Sequence, residues 1–216
     1  MIRRGEPWGS PAGGPPVAVG AGGDADLAEL VQHHPGGRLG FRPDRSCDLA
    51  RAVGLPPSGG GDVDLPLDAV ALDEGRDVAV NLVVAGPPPD RLRWWHRRRP
   101  GTVRVDGRLA FDGRATTVVV ANGQFRAGID LVPRGHPGDG RLEVQVYAVP
   151  PGQRRALRRR LRTGTHLPHP GVVTASGRRV EVRWRRARPV EADGRRLERR
   201  ASLDAAVVPA AYTLLV

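Results

Sequence analysis

The chain has 216 residues, 29 Gly, 21 Pro, 34 Arg with no Lys, one Cys and a formal net charge of +11. The single Cys47 excludes an intrachain disulfide framework, and the lack of Lys excludes a P-loop lysine or a Schiff base. No run approaches the ~18 consecutive apolar residues of a spanning helix, and the first residues lack a signal-peptide apolar run, so a cytoplasmic setting is expected.

Residues 1–16 are rich in Pro and Gly and predict a flexible, irregular N-terminus. Residues 17–19 predict a buried strand, ended by the Gly-rich residues 20–24. Leu27, Leu30 and Val31 then share one helical face, broken at His33, His34 and Pro35. Residues 39–41 predict a second strand. Ser46 is expected to cap a second helix carrying Leu49, Ala50 and Val53, closed by Gly54 and Pro56. Strand, Gly turn, helix, strand and helix make an α/β pattern. Residues 55–64 read as a linker or exposed loop.

Beyond it the period changes to two. Residues 77–85 alternate, with Val78, Val80, Leu82 and Val84 on one side. Residues 91–98 predict a short helix carrying Trp94 and Trp95. Residues 102–105, 108–111 and 116–121 predict strands with turns at Asp106-Gly107 and Asp112-Gly113. Residues 142–148 and 180–184 alternate, residues 151–162 predict a basic helix, and Asp193-Gly194 predicts another turn. Residues 205–208 and 212–216 close the chain as two strands. Many short strands with turns between them predict an antiparallel β-sandwich. The expected organisation is a flexible N-terminus (1–16), a partial α/β nucleotide-binding region (17–64) and a β-sandwich (65–216).

Charge divides along the same line. Residues 1–90 hold 7 Arg against 13 acidic residues, and residues 91–216 hold 27 Arg against 10. A basic second region implies either a surface facing anions, such as lipid headgroups or phosphate, or a solvated Arg-rich strand surface. The run Gln153 to Arg162 has a small apolar face (Ala156, Leu157, Leu161) beside six Arg, which suits electrostatic adsorption to anionic lipid more than deep insertion. Aromatic residues make up 4% of the chain and no nucleic-acid recognition motif occurs, so nucleic acid ranks behind lipid as a partner. His166 and His169 have a metal-like spacing, but Pro168 and Pro170 put them on a loop with no nearby third ligand, which favours packing over zinc.

Gly20-x-Gly22-Gly23 follows a strand and precedes a helix, where backbone N–H groups can meet a phosphate. Five segments in order then resemble the bacterial diacylglycerol kinase/lipid kinase family, which includes sphingosine kinases. Gly22-Gly23-Asp24 resembles its Gly-Gly-Asp-Gly-Thr loop. Asp48 to Pro56 resembles its Asn-Asp-Phe-Ala-Arg-x-Leu-Gly run, and Asn81 to Gly86 its Phe-x-Asn-x-x-x-x-Gly strand. Asn122-Gly123 through Gly138-Asp139-Gly140 to Val144 resembles its Asn-Gly to Asp-Asp-Gly-x-Leu-Asp-Val stretch. Pro189 to Gly194 resembles its closing Pro-x-x-x-Asp-Gly-Glu.

The resemblance implies an α/β domain followed by a β-sandwich, with the site between them and the last strand returning to the first domain. It also implies ATP and Mg²⁺ as cofactors and transfer of the γ-phosphoryl to a lipid hydroxyl. By position, Gly22, Gly23, Asp24 and Asp48 would serve the nucleotide. Asp139, with backbone carbonyls near His136 and Arg141, would hold a structural Mg²⁺. Four departures stand out. The family's Gly-Thr is Ala25-Asp26 here, which sets a carboxylate where a hydroxyl is expected. The second loop keeps only Asp48 of its Gly-Thr-x-Asn-Asp. The family's base is Arg195 here, and a guanidinium cannot act as a base. The α/β region is also expected to lack its first strand–helix unit. Asp68, Asp73 and Glu191 are candidate substitute carboxylates. The expectations are therefore a lipid kinase-like protein or a catalytically degenerate relative that binds anionic phospholipid, peripheral at the inner membrane face. A homodimer stays open.

Overall fold

The computed structural model describes residues 8–216; the part of the irregular N-terminus expected at residues 1–7 lies outside them. Among the described residues, fifteen strands and three α-helices follow one another. They begin β1 (Ser10–Pro11), β2 (Ala18–Gly22), α1 (Asp24–His33), β3 (Arg38–Pro43), α2 (Asp48–Val53), β4 (Val63–Leu72), β5 (Asp77–Ala79) and β6 (Leu82–Ala85). They continue β7 (Arg99–Val105), β8 (Arg108–Ala115), β9 (Thr117–Ala121), β10 (Phe125–Arg126), β11 (Ile129–Asp130) and β12 (Leu142–Tyr147). The last are α3 (Arg154–Leu161), β13 (Val172–Gly177), β14 (Arg179–Ala192) and β15 (Arg195–Leu215). The architecture is a small α/β layer joined to an antiparallel β-sandwich.

The sheet path runs β1-β4-β15-β14-β6-β9-β12-β13, with β2-β3 joining at β15, β5 at β4, and β7-β8 at β14. β2 pairs with β3, and β3 with the end of β15, in parallel; every other ladder is antiparallel. β15 ties the two regions. Its first part pairs with β14, and Thr213–Leu215 lies parallel to Arg38–Gly40 of β3. The last strand therefore does return to the first region. The transition is a bulge between Val208 and Tyr212, where Ala210 takes φ 47° and donates its N–H to Asp68 Oδ1 at 2.8 Å.

Three apolar clusters fill the layers. One lies inside the sandwich, built on Val83, Val103, Val120, Val144, Val182 and Leu203. A second packs α1 and α2 on the parallel strands through Leu27, Val31, Leu39, Phe41, Leu49, Leu67 and Tyr212. The third sets α3 against the outer sheet face through Leu82, Val119, Tyr147, Leu157 and Leu161. β9 (Thr-Val-Val-Val-Ala) is buried at every residue, as a central strand covered on both faces should be.

Several expectations change. β1 pairs with β4, so residues 10–11 are not irregular. β4 occupies residues that carried no strand expectation. Residues 77–85 are two strands, because the chain breaks at Val80-Asn81 to pass from β4 to β9. Residues 91–98 do not form a helix. Pro89–Arg91 makes one 3-10 turn and Trp94-Trp95 a second turn, and the carbonyls of Arg93, Trp94 and His96 accept from the Arg154 guanidinium in place of a helical N–H. Asp112-Gly113 lies inside β8, paired with Thr102 and Gly101, whereas Asp106-Gly107 is a turn with φ 48° and 77°. Ser46 does not cap α2: its hydroxyl donates to Asp44 Oδ1 (2.6 Å) and Cys47 takes the cap position. The two closing strands are one.

Candidate functional site

Asp24, Asp48, Asn81 and Asp193 come from four distant segments and meet at one cleft of ≈ 270 Å³. Asp24 opens α1, fixed by the turn at Gly22 (φ 130°). Its Oδ1 accepts the Leu49 N–H (2.9 Å) and its Oδ2 accepts from Asn81 Nδ2 (2.6 Å). Asp48 opens α2 and accepts the N–H groups of Ala127 (2.5 Å) and Gly128 (2.8 Å). It thereby holds the β10–β11 turn, where both residues have positive φ. Asn81 also donates to the Phe125 carbonyl (3.0 Å). Asp193, at the β14–β15 turn, accepts three successive N–H groups, from Val80 (2.6 Å), Asn81 (3.1 Å) and Leu82 (2.8 Å). Those bonds satisfy the backbone where the chain breaks between β5 and β6.

The cleft is strongly acidic. Burial, reinforced by Asp48, pushes the Asp24 carboxyl above the usual range. Burial and the neighbouring Asp24 push Asp193 up to about 8. Asp26 and Glu191 bring the lining carboxylates to five, against Arg91 and Arg126. Arg126 is only 11% exposed and bridges Asp90 (2.8 Å) and Glu191 (2.7 Å). Cys47 is buried, with its thiol pushed up by burial and by Asp24, so it is no nucleophile.

Gly22 and Gly23 lie where a phosphate-facing loop would be. The Gly23 N–H, however, donates to Asp26 Oδ2 at 2.8 Å, and a Cβ on Gly22 would lie 2.1 Å from that same oxygen. The loop's own carboxylate therefore fills the cradle. Asp26 is exposed and makes this one side-chain bond, so a change of rotamer opens the cradle.

The other positions lie elsewhere. Arg195 is half exposed and pairs with Asp77 (3.2 Å), outside the cleft lining. Of the three substitute carboxylates, Glu191 lines the cleft. Asp73 pairs with Arg200 (2.5 Å), and Asp68 is fully buried, accepting the N–H groups of Gly140 (2.6 Å) and Ala210. His136, Asp139 and Arg141 lie together on the loop before β12. Asp139 Oδ1 accepts the Arg141 N–H (2.9 Å), the His136 carbonyl accepts from Gly138 (2.9 Å), and burial raises the Asp139 carboxyl. His166 is fully buried. Among the described residues no three His, Cys, Asp or Glu side chains are placed to hold one metal ion, which leaves a site of carbonyl oxygens with a single carboxylate, and no helix is long and apolar enough to cross a membrane.

Sequence reasoning did not single out Asn81, Asp193 or Arg126 as site residues. Asn81 carries a signal, as the polar interruption of an apolar run. Asp193 reads equally well as a turn residue, which it also is.

No curated protein matches this chain. Among solved structures, a diacylglycerol kinase from Bacillus anthracis str. Sterne superposes with a TM-score of 0.72 at 16% identity, over 91% of this chain and 75% of that one. Two further structures from the same organism give 0.74 and 0.75 at 15% and 16% identity, over 91% of this chain and 76% of theirs. An NAD kinase from Archaeoglobus fulgidus in complex with ATP gives 0.51 at 14% identity, over 92% of this chain and 76% of that one. At these identities the likeness shows a shared fold. A family model, the YegS C-terminal NAD kinase beta sandwich-like domain, matches residues 91–216. That match spans more than half of the chain, and the protein belongs to this family.

Proposed function

We propose that the chain is a lipid kinase of the diacylglycerol type, passing the γ-phosphoryl of ATP to a lipid hydroxyl at the acidic cleft. The observation that carries this reading is the convergence of Asp24, Asp48, Asn81 and Asp193, from residues 24 to 193, on one cleft between the α/β layer and the sandwich. Mg²⁺–ATP, when bound, would supply the phosphoryl group and offset the crowded carboxylates. With Asp26 turned away, Gly22 and Gly23 would present backbone N–H to phosphate at the start of α1. Asp24, Asp48 and Asp193 each accept backbone N–H bonds and fix the cleft's walls. Glu191 bonds Arg126 through Oε1 alone, and its Oε2 would take the proton of the lipid hydroxyl. Asp139 and the carbonyls of His136 and Arg141 would hold a separate structural Mg²⁺, supported by the raised Asp139 carboxyl beside Asp68.

The test is incubation with γ-labelled ATP, Mg²⁺ and mixed diacylglycerol micelles. Labelled lipid above background is expected, and its absence would overturn the reading. The Asp26–Gly23 bond and the diversion of Arg195 to Asp77 favour a second reading, a catalytically degenerate relative that keeps an anionic-phospholipid surface. Retention on anionic vesicles without any labelled lipid selects it. In both readings the protein works peripherally at the inner membrane face.

A further inference from the structure

The turn at residues 93–96 exposes two indoles. Trp94 is 73% and Trp95 56% exposed, their rings edge to face with centroids 5.5 Å apart. Leu92, just before them, is fully buried, so the turn is rooted in the core under α3. Its backbone is clamped by Arg154, the first residue of α3, which is only 2% exposed. The Arg154 guanidinium donates to the carbonyls of Arg93 (2.6 Å), Trp94 (3.3 Å), His96 (2.7 Å) and, through Nε, Val149 (3.1 Å). A buried arginine thus holds rigid a turn whose two largest apolar side chains stand in water. Exposed indoles on a rigid, core-rooted turn are what a partner-binding surface requires.

The surroundings specify the partner. Partial burial, then the nearby Arg93, Arg155 and Arg162, lower the affinity of Arg158 for a proton. Residues 91–105 and 140–180 contain a single acidic residue, Glu143. Among the described residues none of Arg93, Arg97, Arg155, Arg158, Arg159 and Arg162 has a carboxylate within 4.0 Å. Indole at the level of headgroups with guanidinium around it matches the interface of an anionic bilayer.

We propose that the Trp94-Trp95 turn is a membrane-insertion element, which seats the indoles among the headgroups of anionic phospholipid while the arginines of α3 contact the phosphates. The proposal rests on the lipid-surface reading above and names the part of the molecule that enters the lipid. It also sets the distance to the cleft. Arg91, which lines the cleft, precedes Trp94 by three residues, a span of at most about 11 Å, so a docked turn keeps the cleft lining close to the bilayer.

The experiment uses the full chain with vesicles of phosphatidylcholine alone or mixed with phosphatidylglycerol, some carrying brominated acyl chains. Sedimentation with the anionic vesicles only, and quenching of tryptophan fluorescence by the brominated lipid, are expected. The double variant Trp94→Ala/Trp95→Ala should lose the quenching and at least tenfold in apparent affinity. Arg155→Gln/Arg158→Gln/Arg159→Gln should lose more than tenfold, since each arginine near such a surface contributes about 1 kcal/mol, a factor of about five. These side chains are largely solvent-facing, and an unchanged unfolding temperature confirms that the variants are folded. If the tryptophan variant binds like the parent, the insertion element is refuted while the lipid-surface reading stands. If the parent binds neither vesicle, both fall. Tighter binding to single-stranded RNA than to anionic vesicles at the same salt would refute lipid as the partner.

Discussion

Replacing Asp26 by Thr should tighten ATP binding and at the same time weaken the fold. In the resting cleft the Asp26 carboxylate takes the Gly23 N–H and covers Gly22, where a phosphate oxygen would lie. Two unit charges 4 Å apart repel by about 1 kcal/mol in water and about 4 kcal/mol at a protein surface. Because Asp26 is exposed, a value of about 1–2 kcal/mol applies. Freeing the Gly23 N–H for the ligand adds about 0.5–1.5 kcal/mol. Together they correspond to a gain of about ten- to three-hundredfold in affinity. Against this, Asp26 is an acidic residue in the first turn of α1, complementing the helix dipole. Its loss should cost about 1 kcal/mol, or roughly 2–4 °C in unfolding temperature for a chain of this size. Titration calorimetry with Mg²⁺–ATP and thermal unfolding without ligand read the two effects separately. A folded Asp26→Thr protein that binds ATP no better than the parent would refute the self-filled cradle.

Glu191→Gln should abolish lipid phosphorylation while leaving ATP affinity within about threefold, because it removes the proposed proton acceptor without touching the Gly-rich loop; retained turnover would show that another group takes the proton. The folded Asp193 carboxyl titrates near 8, far above its unfolded value, so its contribution is full at low pH and is lost as pH rises through about 8. The unfolding temperature of the parent should therefore fall between about pH 4 and pH 8, and Asp193→Asn should flatten that slope; a parent curve without the fall would contradict the assignment. Arg154→Met leaves four carbonyls without their donor and should cost about 3 kcal/mol, seen as a drop of roughly 6–12 °C. A drop under 2 °C would mean that the clamp is not a structural requirement.

The α/β half was readable because its signals are local. Leu27 and Val31 mark the face of α1, and Gly54 closes α2 with φ 74°. The turns at Asp106-Gly107 and Asp193-Gly194 were readable for the same reason, since only a few residues accept positive φ there. β4 was hidden because Pro66 and Asp68 are residue types that strands rarely hold, and both serve distant groups: Pro66 pairs with Thr213, and Asp68 caps the loop before β12 and the β15 bulge. Asp112-Gly113 misleads because a local turn preference is overruled by pairing with Gly101 and Thr102. In the site, motif order located Asp24 and Asp48. The side-chain bonds of Asn81 reach residues 57 and 44 positions away and those of Asp193 more than 100, and no local pattern encodes them. The diversion of Arg195 to Asp77 is likewise a tertiary fact.

Hydrogen exchange of the full chain with and without Mg²⁺–ATP tests the central claim most directly, since it reads the cleft without requiring turnover. The account predicts added protection at residues 22–28, 46–50 and 123–128, the backbone that frames Asp24, Asp48 and the β10–β11 turn. Protection confined to other segments, or none at saturating nucleotide, would contradict a nucleotide site in this cleft.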